Sequence, residues 1–369
     1  VRSISRKTAT WASAAVVAIG AAAAAIVIAS NDAAPSGGDA AAAGASARAA
    51  VAAPAALRLI SVSPAGGAVG VNGATGVTVT YNRPPSAMTP LPALTPAIAG
   101  SWTRSGDSLA FKPATGWTAG TRVTVTVPGA HPVAFKTGAY STLRLQEILA
   151  QLGYLPLNWT ASAGAVAALD TAAAQLSAAY DPPAGSFTWQ PGYPAQLRAF
   201  FSEGRQDTMD RGALMGFEAD HNLTVDGTTG AKVWKALLAA AAKDQRNAHG
   251  YSYAVATKGQ PERLTIWHDG RRVFSSLVNT GISVSPTVDG TFPVYEKLPY
   301  QIMSGTNPDG SHYADPVEWV SYFNGGDAVH YFPRGSYGWP QSLGCVELPY
   351  DAAKQAYPYL PYGTLVTVY

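Results

Sequence analysis

Cysteine is all but missing from this chain: Cys345 is the only one in 369 residues. One thiol excludes an internal disulfide, so its own chemistry has to be asked about. Charge is scarce too. Charged residues make up 13% of the chain and the formal net charge is +2, which excludes the basic field that holds nucleic acid. The six histidines include no two at a metal-ligand spacing. That argues against a zinc peptidase and assigns no metal and no cofactor. Long helices are disfavoured by 27 prolines and 37 glycines, which mark turns and linkers. The length leaves room for about two to four domains.

One absence is local. No charged residue stands between Thr8 and Ser30, and Arg2, Arg6 and Lys7 precede the run. An uncharged run of about 23 residues is long enough to cross a bilayer with its basic end inside. Residues 1–30 are therefore expected to be a signal peptide or, from the length of the run, an uncleaved membrane anchor. No cysteine follows, so a lipid-modified anchor is not expected. Residues 31–56, rich in Ala, Gly, Pro and Ser, read as a flexible linker.

What is present concentrates around Cys345. His330 stands fifteen residues before it, at the end of Asp327-Ala-Val-His330. Gly335, Gly338 and Pro340 between them favour a loop that folds back. An imidazole beside a thiol can take its proton and release the thiolate that attacks carbonyls. Gly344 allows close backbone approach, and the N–H groups around Gly344 and Cys345 can face a developing oxyanion. For an arbitrary Cys/His pair, the ordinary reading is an inert buried thiol.

The residues of this stretch reverse that reading. His330, then a loop, then Ser342-Leu-Gly344-Cys345-Val346 resembles the active-site signature of the L,D-transpeptidase catalytic domain: a His, a loop, Ser/Thr-His-Gly-Cys, an apolar residue, then Arg or Asn. Pro286-Thr-Val-Asp-Gly-Thr-Phe292 resembles the P-T-P-x-G-x-F strand start of that family, and the tail from Asp351 to Val368 its closing helix and strand. The resemblance covers about residues 250–369. It implies Cys345 as nucleophile, His330 as base, Gly344 and Ser342 as support for the oxyanion, and peptidoglycan stem peptides as donor and acceptor. It also implies an extracytoplasmic enzyme facing the cell wall, anchored or secreted, that forms 3→3 cross-links with release of D-alanine. An L,D-carboxypeptidase shares the same acyl-enzyme, and a non-catalytic wall-binding protein is the alternative from another class. Three positions depart from the pattern: Leu343 stands for the His, Glu347 for the Arg or Asn, and Tyr331 for a small residue. Tyr331, Tyr337, Trp339 and Glu347 are expected to line the donor cleft, and His312 in the polar loop 307–313 is a further candidate. Glu347 either lies near the sulfur, where its charge disfavours the thiolate, or points into solvent.

Upstream, the runs Leu57–Val62, Val77–Tyr81, Leu109–Lys112 and Val123–Val127 alternate with period two between turn clusters. Residues 57–136 thus predict a small β-sandwich resembling an immunoglobulin-like module, with Trp102 and Trp117 in its core. Residues 140–246 predict helices at Leu143–Leu152, Met209–His221 and Ala231–Ala242, interrupted by an Ala-rich insert. Leu223-Thr-Val-Asp-Gly-Thr-Thr-Gly230 with Trp234 resembles a peptidoglycan-binding helical module. Asp226-Gly227 in it reads as a turn rather than a metal ligand. From Tyr251 strands return, with Asp269-Gly270 as a hairpin signal and one short helix near Asp351–Tyr357. The expected fold class is multidomain: a signal or membrane helix, an Ig-like β-sandwich, a helical module and a mainly-β C-terminal domain.

Overall fold

A computed structural model describes residues 56–163, 169 and 171–369. The expected signal or membrane segment 1–30 and all but the last residue of the linker 31–56 lie outside them. Among the described residues, no helix is long and apolar enough to cross a membrane.

The alternation of Val and Thr builds the first region. Strands β1 (Leu59–Ser63), β2 (Val77–Tyr81), β5 (Ser108–Pro113) and β4 (Gly100–Ser105) form one sheet in the order β1-β2-β5-β4. Strands β3 (Ala93–Thr95), β6 (Arg122–Thr126) and β7 (Val133–Lys136) form the other. Val77, Val79, Val123 and Val125 face inward and are fully buried, with Trp117 between the sheets. Trp102 is only partly buried, against Phe111.

The middle region is helical, as expected, but not wholly so. Helix α1 (Thr142–Gln151) starts where Ser141 accepts from the Arg144 N–H, and it ends before Gly153 at φ +79°. Helix α3 (Thr208–Asp220) has a capping box formed by Asp207 and Asp210. Helix α4 (Ala231–Ala242) has the predicted bounds. The insert is a correction: it holds strands β8 (Leu157–Ala161) and β9 (Gly185–Trp189), paired antiparallel, and helix α2 (Ala172–Tyr180) between them. Its aromatic residues Trp159, Phe187 and Trp189 pack on the helical core, which makes the hairpin worth forming despite an Ala-rich sequence. Asp226 and Gly227 form the expected turn, their N–H groups donating to Glu218 Oε2 at 2.9 and 2.8 Å.

The C-terminal region has two sheets. One runs β12 (Arg271–Leu277), β11 (Arg263–His268), β10 (Ser252–Thr257), β18 (Leu365–Val368), β13 (Gly290–Pro293). The other runs β14 (Glu296–Thr306), β15 (His312–Asn324), β16 (Asp327–Tyr331), β17 (Val346–Leu348). Asp269 and Gly270 make the turn from β11 to β12, both at positive φ. Val329, Val346, Leu348, Ile266, Val366 and helix α5 (Tyr350–Ala356) fill the space between the sheets. Strand β10 is buried on both faces: Ala254 and Ala256 meet the second sheet, Tyr253 and Val255 meet the helices.

Candidate active site

The placement of the two reactive side chains follows from strand register. Strands β16 and β17 are parallel, with Val329 opposite Val346, His330 opposite Glu347 and Tyr331 opposite Leu348. Alternate residues share a face, so His330, Glu347 and Cys345, just before β17, are directed to the same side. The segment from Phe332 to Gly344 closes the crossover. Asn279, fully buried, holds it: its amide donates to Ser336 O at 3.1 Å and accepts from the Gly338 N–H at 3.0 Å. The Asn279 backbone also exchanges both hydrogen bonds with Glu347, at 3.0 and 2.9 Å. Glu262 supports the same strand end, accepting from the Thr280 N–H and hydroxyl at 2.6 and 2.7 Å.

The turn before the thiol is closed by side chains. Ser342 Oγ donates to Cys345 O at 2.6 Å and accepts from the Gly344 N–H at 3.2 Å. The Gly344 N–H is therefore engaged, contrary to its expected part in an oxyanion hole, and the Cys345 N–H is the local donor left for that purpose. Gly344 sits at φ +125°, and a Cβ there would overlap the Asp327 carboxylate. Only glycine suits both conditions. Thr287, from the Pro286–Phe292 segment, donates to Cys345 O at 3.4 Å.

Cys345 is half-buried, its sulfur 3.7 Å from Gly326 O. Burial pushes the thiol up to about 12; the Ala328 N–H opposes this, and the Asp327 and Glu347 carboxylates add to it. His330 is 2% exposed. Its Nδ1 lies 2.8 Å from Tyr331 O. A carbonyl only accepts, so Nδ1 carries the proton and Nε2 keeps its lone pair. Burial pushes the imidazole down to about 4, against the Tyr331 carbonyl and with the Arg334 charge. The free site thus holds a neutral thiol and a neutral imidazole. Glu347 is neither in solvent nor alone: it is 4% exposed, and Arg334 grips both its oxygens at 2.7 Å.

These groups open onto a cleft of about 890 Å³ beneath the β14–β15 hairpin. His330, Cys345, Glu347, Leu343, Asp327 and Arg334 form its floor and sides, and Gln301, Met303, Tyr313, Asp315 and Tyr322 come from the hairpin. Tyr322 donates to Gln301 at 2.9 Å. Three expected wall residues are not in the cleft. Tyr331 alternates with His330 and so points to the opposite face, against Tyr350. Tyr337 turns back on its own loop to donate to Phe332 O at 2.6 Å. Trp339 is 48% exposed and donates to Ser336. His312 is exposed at the start of β15, beside Thr306, while its neighbours Asn307 to Asp309 line the cleft. Sequence reasoning missed Asp327, Arg334, Asn279 and Glu262. Among the described residues, no group of three or more His, Cys, Asp or Glu is arranged to hold a metal. A thiol, a base with a free lone pair and a cleft of this size can carry out acyl transfer through a thioester.

Comparison with known proteins matches two parts of the chain to families. Residues 252–368 match the L,D-transpeptidase catalytic domain family, and residues 53–142 match the bacterial Ig-like domain family. The chain thus carries an L,D-transpeptidase catalytic domain preceded by an Ig-like domain. Among solved structures, it is similar to an L,D-transpeptidase from Mycobacterium smegmatis at 17% identity, covering 85% of this chain and 99% of that one, with a TM-score of 0.30. L,D-transpeptidase 3 from Mycobacterium tuberculosis gives 17% identity over 84% and 98% of the two chains, also at 0.30. The catalytic domain of the E. faecium enzyme gives 25% identity over 32% and 96%, again at 0.30. No curated protein matches the chain.

Proposed function

We propose that this protein is an extracytoplasmic, wall-facing L,D-transpeptidase that forms 3→3 cross-links between peptidoglycan stem peptides. The observation that carries the reading is the shared strand face that directs Cys345 and the Nε2-free His330 into one cleft. The thiol is neutral at rest, so His330 takes its proton as sulfur attacks the carbonyl of the third stem residue. The oxyanion forms beside the Cys345 N–H. As the tetrahedral species collapses, the bond to the fourth residue breaks and His330 returns the proton to the departing D-alanine. The thioester is then resolved by an amine of a neighbouring stem, which displaces the thiol and leaves an amide. Resolution by water instead yields a tripeptide and makes the enzyme an L,D-carboxypeptidase.

The test is release of D-alanine from disaccharide-tetrapeptides by the purified chain. Release is expected from the wild type, with a loss of at least about a thousandfold in Cys345→Ala. Dimer in the product spectrum supports transfer; tripeptide without dimer supports hydrolysis. A folded wild type that releases no D-alanine and is not acylated by a carbapenem would leave only a wall-binding role.

A further inference from the structure

Glu347 occupies the position where the resemblance expects Arg or Asn, two residues past the thiol and opposite His330 in the register. The cation missing from that strand is supplied by the loop. Arg334 Nε and Nη2 each donate to Glu347 at 2.7 Å, and Nη2 also donates to Gln341 O at 3.1 Å. The same guanidinium lies 4.6 Å over the Phe332 ring, and that ring meets the His330 imidazole edge-on at 6.4 Å. One side chain therefore touches the strand that carries the thiol, the loop, and the ring beside the base. We propose that Arg334 is a positioning residue for the Cys345–His330 pair, clamping the β17 strand through Glu347 and the imidazole through Phe332. The proposal rests on the acyl-transfer reading only in taking His330 as the base of Cys345.

A planar fork is required for this. Arg meets a carboxylate with two parallel bonds while its flat face stacks on an aromatic ring; Lys offers a point charge. Removing Arg334 alone leaves a buried, unpaired carboxylate and endangers the fold. The informative background is therefore Arg334→Met with Glu347→Gln, which removes the clamp and the buried charge together. Asp327 and Glu347 face the sulfur, Arg334 faces the imidazole, and Asp315 and Tyr337 face Arg334. Exchanging Arg334 and Glu347 preserves the charge balance of this set.

The experiment is a double-mutant cycle on the full chain, read by the rate of Cys345 alkylation with iodoacetamide at pH 7.5, where the thiol reacts with help from its base. In the wild type, His330→Asn is expected to slow alkylation about tenfold. In the Arg334→Met/Glu347→Gln background, the same change is expected to matter less than about twofold. The exchanged pair, Arg334→Glu with Glu347→Arg, is expected to restore most of the dependence on His330. Equal slowing by His330→Asn in both backgrounds overturns the clamp and leaves the base assignment standing. No slowing in the wild type overturns the base assignment and the clamp with it. The melting temperature, measured in parallel, reports a purely structural contribution, which alone would leave the dependence on His330 unchanged.

Discussion

His330 is kept neutral by its burial, and that has a thermodynamic signature. Its folded-state value near 4 lies below the ordinary value of 6.5, so between these limits the unfolded chain binds the extra proton. Stability from this residue is complete above pH 6.5 and is lost as pH falls through 4, by about 3 kcal/mol. Asp210 works in the opposite sense. Burial, reinforced by Asp207, raises its carboxyl to about 7, so its contribution is complete below its unfolded value and lost as pH rises through 7. The two slopes offset each other in the whole chain. His330→Asn should therefore be compared with the wild type by denaturant unfolding at pH 7 and pH 4. The stability difference is expected to change by about 3 kcal/mol between the two conditions, and a constant difference would refute the neutral buried imidazole. At this scale the sequence was most readable where chemistry is local: Cys345, His330 and Ser342 fall in one short stretch. Arg334 and Asp327 lie in the same stretch but escaped notice, because their partners are set by the register of β16 against β17 and not by spacing. Asn279 and Glu262 escaped for the same reason, being brought in by strands far upstream.

Elements with one clear period were read well and two-faced ones less so. The Val/Thr strands of the sandwich and helix α4 declare themselves through a single polar face. The β14–β15 hairpin did not. Strand β15 contains Pro316, which ordinarily speaks against a strand. Here Pro316 pairs with Ile302 of β14, whereas β16 pairs with β15 only from Glu318 onward, so Pro316 sits where β15 has a free edge. The aromatic residues of the His–Cys loop misled for a related reason, since strand alternation and loop closure, not proximity in sequence, decide which side chains reach the cleft. A close approach between elements gives a sharper test. A Cβ on Gly212 of α3 would meet Gly363 O, and one on Gly363 would meet Gly212 O. In an open helix Gly→Ala gains about 1 kcal/mol of propensity. Overpacking against backbone costs about 1–3 kcal/mol and can cost more, so the clash is expected to win. Gly212→Ala should lower the urea midpoint, with a net loss of about 1–2 kcal/mol. A stabilised Gly212→Ala would show that α3 does not touch the 361–364 turn.

Across the whole molecule, the division into cores does not follow the division into sequence patterns. The sandwich core is drawn wholly from its own strands and loops, with Val79, Leu109, Trp117 and Phe135 at its centre. The helical region and the C-terminal sheet instead share one core: Leu149, Leu214 and Phe217 pack in the same cluster as Tyr253, Val255 and Leu365. This follows from the composition of β10 and β18. The small Ala254 and Ala256 let the second sheet approach one face of β10, while Tyr253 and Val255 need cover on the other. Sequence reading treated residues 140–246 and 250–369 as separate modules because the turn at Gly250 and the change of period mark a boundary in pattern; burial crosses it. Calorimetry of the full chain is therefore expected to show the sandwich melting by itself and the helical and C-terminal regions melting together. Phe217→Ala lies on a helix, far in sequence from Cys345. It should cost about 3–5 kcal/mol and lower, by the same number of degrees, the temperatures at which the helical signal disappears and Cys345 becomes freely reactive to iodoacetamide. Val125→Ala in the sandwich should shift neither of those two temperatures. Separate melting of the helical signal and of Cys345 protection in Phe217→Ala would mean that the shared core does not couple them, and that the α3 helix is not a support on which the cleft depends.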